Sequence, residues 1–509
     1  LRARALSVEK AQARRVRIFQ PGLIILNHLH HLHPDLNIMA EWRVSEEQPL
    51  RYLEGLDYER CAALHNYIIE LGWTQRGLAL DALDKRTWWE CHGGDAALTG
   101  ISERLEAPVV SFLKLAWNGF SMDGSGPVHL FHRYLGGLCY PHRLWDNINY
   151  AEDEDDSNKR SYITLYEANH ALGTTHAKGL ILDQDYGLAM QHMSIAHTGI
   201  AMNGRQTWLS LEMILNEFID MIDQGKVVAV DEAYSGDQER TEPWIMPSYT
   251  QRDLDDTLGA FQQLVNTIND KLPSQPLDTE IGLLNLVTGG DQQRLPSNSF
   301  AHQFLVRSPV PSFTYLAPGL RIAQHQPFAL PPEDENEPNK LSPLLLFSST
   351  QPAHQETVRS PWGVMPVSSF TGEIGTASVY PAGLYLTETD PCGMHPFEDG
   401  CKLILPYTLG ANAFARTSDD ALIGEDLGRT EEDVAAHVQP TSTQLYQLGF
   451  NHFIAKHDVQ LKHVLWRWVE MIEDGKWEVD ADGVVGGIEK WKEADTEEHW
   501  MDYQLPMSW

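Results

Sequence analysis

The chain has 509 residues and a formal net charge of −33 at pH 7, from 71 acidic against 38 basic side chains. A single-sign field of that size repels phosphate backbones and argues against a free nucleic-acid binder, while 42% hydrophobic residues and 15 tryptophans exclude a disordered chain. The five cysteines, Cys61, Cys91, Cys139, Cys392 and Cys401, are odd in number and widely spread, which predicts a reducing compartment rather than a disulfide framework.

The first residue is Leu, compatible with processing or a missing leader, and residues 1–17 are basic: Arg2, Arg4, Lys10, Arg14, Arg15 and Arg17 face only Glu9. This reads as an exposed basic arm, able to make weak, non-specific RNA contacts through Arg2, Arg4, Arg14, Arg15 and Arg17 or to touch acidic faces of neighbouring subunits. No apolar run approaches the ~18–20 residues of a membrane span. After the apolar run 22–26 comes a histidine cluster with His28, His30, His31 and His33. On a strand, His28 and His30 would share one face, the way binuclear metal hydrolases present their first two ligands. The alternative is a packed or interfacial histidine cluster, since Leu32 breaks the His-x-His-x-Asp-His pattern.

Cys91 beside His92, and Cys139 near His142, put a thiol close to an imidazole in sequence, but buried free cysteines are the commoner explanation. Glu167 and His170 have the spacing of a di-iron helix without the second copy that such a bundle needs. Acidic runs at 152–156 and 331–338 read as surface excursions.

Two amphipathic helices follow from apolar spacing. One covers residues 207–225 with Trp208, Leu211, Leu215, Phe218 and Ile222 on a face and Gly225 at the stop. The other covers 250–272 and ends at Pro273, which lacks the N–H needed to continue. Residues 273–406 hold most of the 28 prolines and predict short strands and loops, with strands at 312–316, 344–347, 377–380, 384–387 and 402–405. Cys392, His395 and Cys401 offer three soft ligands, one short of a structural zinc set.

A third helix is expected to start at Thr441, where Thr441 and Gln444 have capping-box spacing, and to run through Leu461, Leu465, Trp468 and Ile472. Residues 478–489 match an EF-hand loop at five positions if Glu478 replaces Asp, or else form a hairpin around Asp482 and Gly483. Tryptophans at 88, 89, 466, 468, 477, 491, 500 and 509 suggest protein–protein contact, because residues 470–502 carry twelve acidic and three basic side chains, the wrong balance for base stacking.

The predicted fold class is α+β, predominantly α-helical, with a mainly helical region and basic N-terminal segment at 1–272, a proline-rich β-strand and loop region at 273–420, and an acidic helical region at 421–509. No internal repeat stands out. Walker, dinucleotide, G-x-S-x-G and H-E-x-x-H motifs do not occur, so neither catalytic residues nor a cofactor are assigned.

Two stretches, 120–142 (Phe-Ser-Met-Asp-Gly-Ser-Gly-Pro-Val-His-Leu-Phe-His-Arg-Tyr-Leu-Gly-Gly-Leu-Cys-Tyr-Pro-His) and 367–383 (Val-Ser-Ser-Phe-Thr-Gly-Glu-Ile-Gly-Thr-Ala-Ser-Val-Tyr-Pro-Ala-Gly), give the chain a character that resembles totivirus-like coat proteins of double-stranded RNA viruses. The resemblance implies a mainly helical subunit, self-association into a closed icosahedral shell of asymmetric dimers, and residence in the virion or host cytoplasm. Some members of that group carry a cap-removing histidine, which transfers to no histidine here. The expected function is therefore a structural shell subunit, more a building block than an enzyme; the alternative is a cytosolic metal-dependent hydrolase using His28 and His30.

Overall fold

The computed structural model describes residues 41–45, 47–51, 53, 55–123, 126–133, 135–145, 162–169, 179–192, 208–230, 243–273, 282–288, 295–328, 341–360, 363–370, 375, 379–387, 389, 397–424, 439–449 and 458–506. The described residues are 35% helical and 24% strand, a mixed α/β composition that corrects the expectation of a predominantly helical chain. The error lies mostly in the first 272 residues, which hold a five-stranded antiparallel sheet as well as helices. Its central strands are buried on both faces, so they lack the alternation by which a half-exposed strand is recognised.

The first half runs through helices α1 (Tyr58–Thr74), α2 (Trp88–Cys91), α3 (Gly94–Ser102) and α4 (Ala107–Leu115), then a hairpin of β1 (Phe120–Asp123) and β2 (Gly126–His129). The sheet follows in sequence order: β3 (Leu135–Leu138), β4 (Tyr162–Ala168), β5 (Gly179–Asp183), β6 (Leu188–His192) and β7 (Leu209–Ser210). Strand β7 passes directly into helix α5 (Leu211–Asp223), and a small ribbon of β8 (Val228–Ala229) and β9 (Trp244–Ile245) closes the half.

The second half begins with α6 (Gln251–Lys271). Thr250 caps it reciprocally with Asp253, whose N–H donates to the Thr250 hydroxyl at 3.1 Å while its carboxylate accepts the Thr250 N–H at 2.8 Å. Then come α7 (Leu284–Thr288), α8 (Phe300–Arg307), β10 (Tyr315–Ala317), β11 (Leu320–Ile322) and β12 (Leu344–Pro352). A separate hairpin, β13 (Thr357–Ser360) and β14 (Gly363–Pro366), precedes β15 (Pro381–Leu386), β16 (Gly400–Leu409), β17 (Ser442–Gln444) and β18 (Val459–Gln460). Strand β18 feeds helix α9 (Leu461–Glu473), followed by the hairpin β19 (Val479–Asp480) and β20 (Gly483–Val484), a 3-10 helix (Ile488–Asp495) and α10 (Trp500–Tyr503). The expected third helix thus starts twenty residues late: Ser442, Thr443 and Gln444 form a strand beside β16.

The two halves repeat one another, although the sequence read alone suggested no repeat. Strands β4, β5, β6 and β7 correspond to β12, β15, β16 and β18 in pairing and in register. Ala189 and Leu188 face Leu209 and Ser210 as Cys401 and Gly400 face Val459 and Gln460. Both halves break the ladder at one extra residue, between Thr164 and Tyr166 in β4 and between Leu345 and Phe347 in β12. The preceding strand closes on that bulge in the same way: the Cys139 N–H donates to the Leu165 carbonyl at 2.9 Å and the Ala323 N–H to the Leu346 carbonyl at 3.0 Å.

Helices α5 and α9 share residues at one constant offset, where Leu211, Leu215, Met221, Ile222, Gly225 and Lys226 recur as Leu461, Leu465, Met471, Ile472, Gly475 and Lys476. Both end alike. The glycine takes the left-handed conformation (φ +76° at Gly225, +70° at Gly475) and donates to the isoleucine carbonyl, at 3.0 and 3.2 Å. Each half has its own apolar core. One gathers residues between Leu56 and Met246 around α1 and α5; the other gathers residues between Leu254 and Leu505 around α6 and α9.

One basic and one acidic side chain face each other across the two long helices in each half, in reversed order. At the third position of α1 the buried Arg60 lies within electrostatic reach of Glu212 on α5. At the third position of α6 the buried Asp253 lies 3.8 Å from Lys462 on α9.

Candidate functional site

One half-exposed cluster collects residues that the sequence had singled out. Where β3 leaves the sheet, the 3-10 turn Pro141–Arg143 brings Arg143 onto Glu167 of β4 at 3.1 Å. The Cys139 thiol donates to the same carboxylate at 3.5 Å, and the Trp88 indole N–H donates to the Cys139 carbonyl at 2.9 Å. On the solvent side the His92 ring stands edge-on to Trp88 at 4.7 Å and to Tyr140 at 5.8 Å, and Tyr140 lies 6.0 Å from His142. Burial, and secondarily the charge of His142, lowers the His92 pKa, so His92 is neutral near pH 7 and can both give and take a hydrogen bond. The thiol faces a carboxylate, the reverse of the imidazolium partner that a thiolate nucleophile requires. Burial also raises the Cys91 thiol pKa.

A second cluster sits where the halves meet. Lys226, just past the end of α5, extends its ammonium to Asp253 at 3.0 Å and to Asp399 at 2.8 Å, and none of the three side chains is more than 1% exposed. Gln460 donates to the other Asp399 oxygen at 2.9 Å, and the ammonium lies 4.4 Å from the centre of the Phe397 ring. Phe397 itself packs into the first half's core. Two carboxylates around one ammonium, with Lys462 on the far side of Asp253, form a closed and hydrogen-bonded set sealed from solvent, suited to holding the halves together.

His28, His30 and the arginines of the basic arm lie outside the described residues, as do His170, Cys392, His395, Trp509 and the acidic runs at 152–156 and 331–338. Cys401 is buried in the second core. Residues 478–489 adopt the hairpin alternative: Val479 faces Val484, Asp480 faces Gly483, and Asp480 accepts the Asp482 N–H at 2.8 Å. Among the described residues no group of three or more His, Cys, Asp or Glu side chains is placed to hold a metal ion. No helix among them is long and apolar enough to cross a membrane.

The tryptophans correct their expectation. Trp88, Trp89, Trp468, Trp477 and Trp491 are buried in the two cores, where Trp468, Trp477, Trp491 and Tyr503 pack ring against ring. Trp466 is exposed, at 39%, and Trp500 is half-buried beneath Arg416. The acidity of the segment misled because its carboxylates are in large part on the outside of turns while the rings point inward. The junction and the repeat escaped the sequence reading, although the shared Leu-x-x-x-Leu and Gly-Lys of residues 211–226 and 461–476 carried the signal.

Comparison with known proteins adds nothing to this geometry: no family model, no curated protein and no solved structure matches the chain.

Proposed function

We propose that the chain is the structural subunit of a self-assembling shell, in the form of the capsid protein of a double-stranded RNA virus. The observation that carries this reading is the internal repeat. A closed shell built from many copies of one chain must bond similar surfaces in several unlike environments. A chain containing one unit twice, alike in backbone pairing and unlike in surface, brings two such surfaces joined by a buried ionic weld. The net charge of −33 supports the same reading. An acidic lining does not clamp a duplex by counterion release, so a genome can slide past a polymerase inside.

The test is sedimentation velocity with negative-stain microscopy of the purified full chain. Closed multi-megadalton particles are expected. A monodisperse monomer carrying stoichiometric zinc would overturn the proposal in favour of a hydrolase using His28 and His30.

A further inference from the structure

Among the described residues, one helix face in the second half carries no strap where its counterpart in the first half is gripped. In the first half residues 41–51 strap across α1 and α5. Arg43 donates to Asn216 at 2.7 Å, to Asp223 at 2.8 Å and also to Asp220, and the Val44 N–H donates to Asn216 at 3.1 Å. Arg60 fixes the strap from beneath by donating to the carbonyls of Trp42, Arg43, Gln48 and Pro49 at 2.6–2.9 Å. Arg51 pairs with Asp57 at 2.6 Å and lies 5.9 Å from the centre of the Trp42 ring.

On α9 the positions equivalent to Asn216, Asp220 and Asp223 are Trp466, Glu470 and Glu473. The acidic pair that receives Arg43 is therefore kept. Glu473 is exposed, Glu470 pairs with Arg467 of its own helix at 2.8 Å, and Trp466 is 39% exposed. No strap leads into α6 as residues 41–51 lead into α1, because only residues 246–250 separate β9 from α6.

We infer that this face of α9 docks the chain's own basic N-terminal segment, residues 1–17. Its arginines would take the place that Arg43 holds on α5, on Glu470 and Glu473, with a guanidinium over the Trp466 ring. Charge complementarity selects this occupant: six basic side chains against Glu9 alone, in a chain that is otherwise acidic. Reach permits it, since residues 18–40 can span about 80 Å when extended. The inference does not depend on the shell proposal, because the arm can come from the same chain or from a second copy.

The experiment places photoreactive p-benzoylphenylalanine at position 466 of the full chain and maps the cross-linked peptides. Cross-links to peptides within residues 1–17 are expected, inside one chain or between two as read from the size of the denatured product. Their yield should fall about tenfold in the Glu470→Lys/Glu473→Lys variant, as expected for the loss of two surface ion pairs, and recover with Arg14→Glu/Arg15→Glu. Glu473→Gln alone, at an exposed position that leaves folding intact, should give a smaller loss. Cross-links to other segments or to co-purifying nucleic acid, or a yield indifferent to charge reversal, would overturn the inference.

Discussion

Gly179 and Gly383 occupy the same place in the two halves, each lying against the carbonyl just beyond the bulge in the neighbouring strand. A Cβ added to Gly179 would stand 2.0 Å from the Tyr166 oxygen, and one added to Gly383 would stand 2.2 Å from the Phe347 oxygen. Neither obstacle is a movable side chain. Each alanine variant must therefore open the sheet at the bulge, and a loss of about 3 kcal/mol or more is expected at either site. Urea unfolding of Gly179→Ala and Gly383→Ala checks this. Wild-type midpoints in both would show that the two bulges are not tight.

Lys226 and Lys476 are equivalent in sequence but not in energy. Lys226→Met leaves Asp253 and Asp399 buried without their ammonium, which should cost roughly 3–5 kcal/mol. Lys476→Met removes a pair with Asp502 whose side chains remain partly exposed, at a cost below about 1 kcal/mol. Adding Asp399→Asn to Lys226→Met should cost less than the sum of the two single changes, because they share one charge set. Chemical denaturation of the four variants measures the contrast.

Asp495 holds a loop through its backbone. Its two oxygens accept N–H groups from Gly410, Asn412, Phe414 and Ala415, all at 3.0 Å, and Ala413 between them has a φ of +63°. Asp495→Asn turns one acceptor into a donor facing two N–H groups, a loss of about 3 kcal/mol. Faster proteolysis within residues 410–424 and a lower Tm are the expected readouts.

Stability should depend on pH through buried groups of opposite sign. The His65 ring, bonded to the Trp117 carbonyl at 2.8 Å and the Tyr166 hydroxyl at 3.0 Å, has its pKa pushed down to about 4, chiefly by burial. Below about 6.5 the unfolded chain binds a proton there that the folded chain refuses until about pH 4, so stability falls with pH across that window, by about 1 kcal/mol per unit. Glu212 runs the other way. Burial raises its pKa to about 7, so the folded chain holds a proton that the unfolded chain releases above about 4.5, and stability falls as pH rises to 7. Denaturation between pH 4 and 8 should show a shallower acid limb in His65→Gln and a shallower neutral limb in Glu212→Gln, the remainder coming from Asp183 and Glu217, whose pKa values burial also raises, to about 6 and about 8.

What could be read in the sequence was what local chemistry decides. The apolar stripe of α6 and its end were legible because its core residues keep helical spacing and Pro273 stops it, whereas the Thr250–Asp253 cap emerged only in the structure. Residues 441–444 have the same kind of capping signal and form a strand instead, because the Glu356 carboxylate takes the Ser442 and Thr443 hydroxyls and the Thr443 N–H. That partner is distant in sequence. Strands β5 and β6 were missed for a related reason: they are almost wholly buried, and burial on both faces erases the alternating pattern. Of the residues put forward for chemistry, Cys139, His142 and Glu167 do gather with His92, around Tyr140, but into a carboxylate-bound thiol and an aromatic edge, an outcome set by β3 pairing with β4 rather than by spacing.

The reversed charges on the helix pairs bear on how the chain avoids a wrong turn while folding. Two similar halves in one chain invite a crossed product, with a long helix from one seated on the sheet of the other. Exchanging α6 for α1 would set the Asp253 carboxylate beside Glu212 with no cation between them, and would set Arg60 against Lys462, base facing base at largely buried positions. Such hybrids carry an electrostatic penalty that the correct partners do not, which favours each half's own helix as the chain folds.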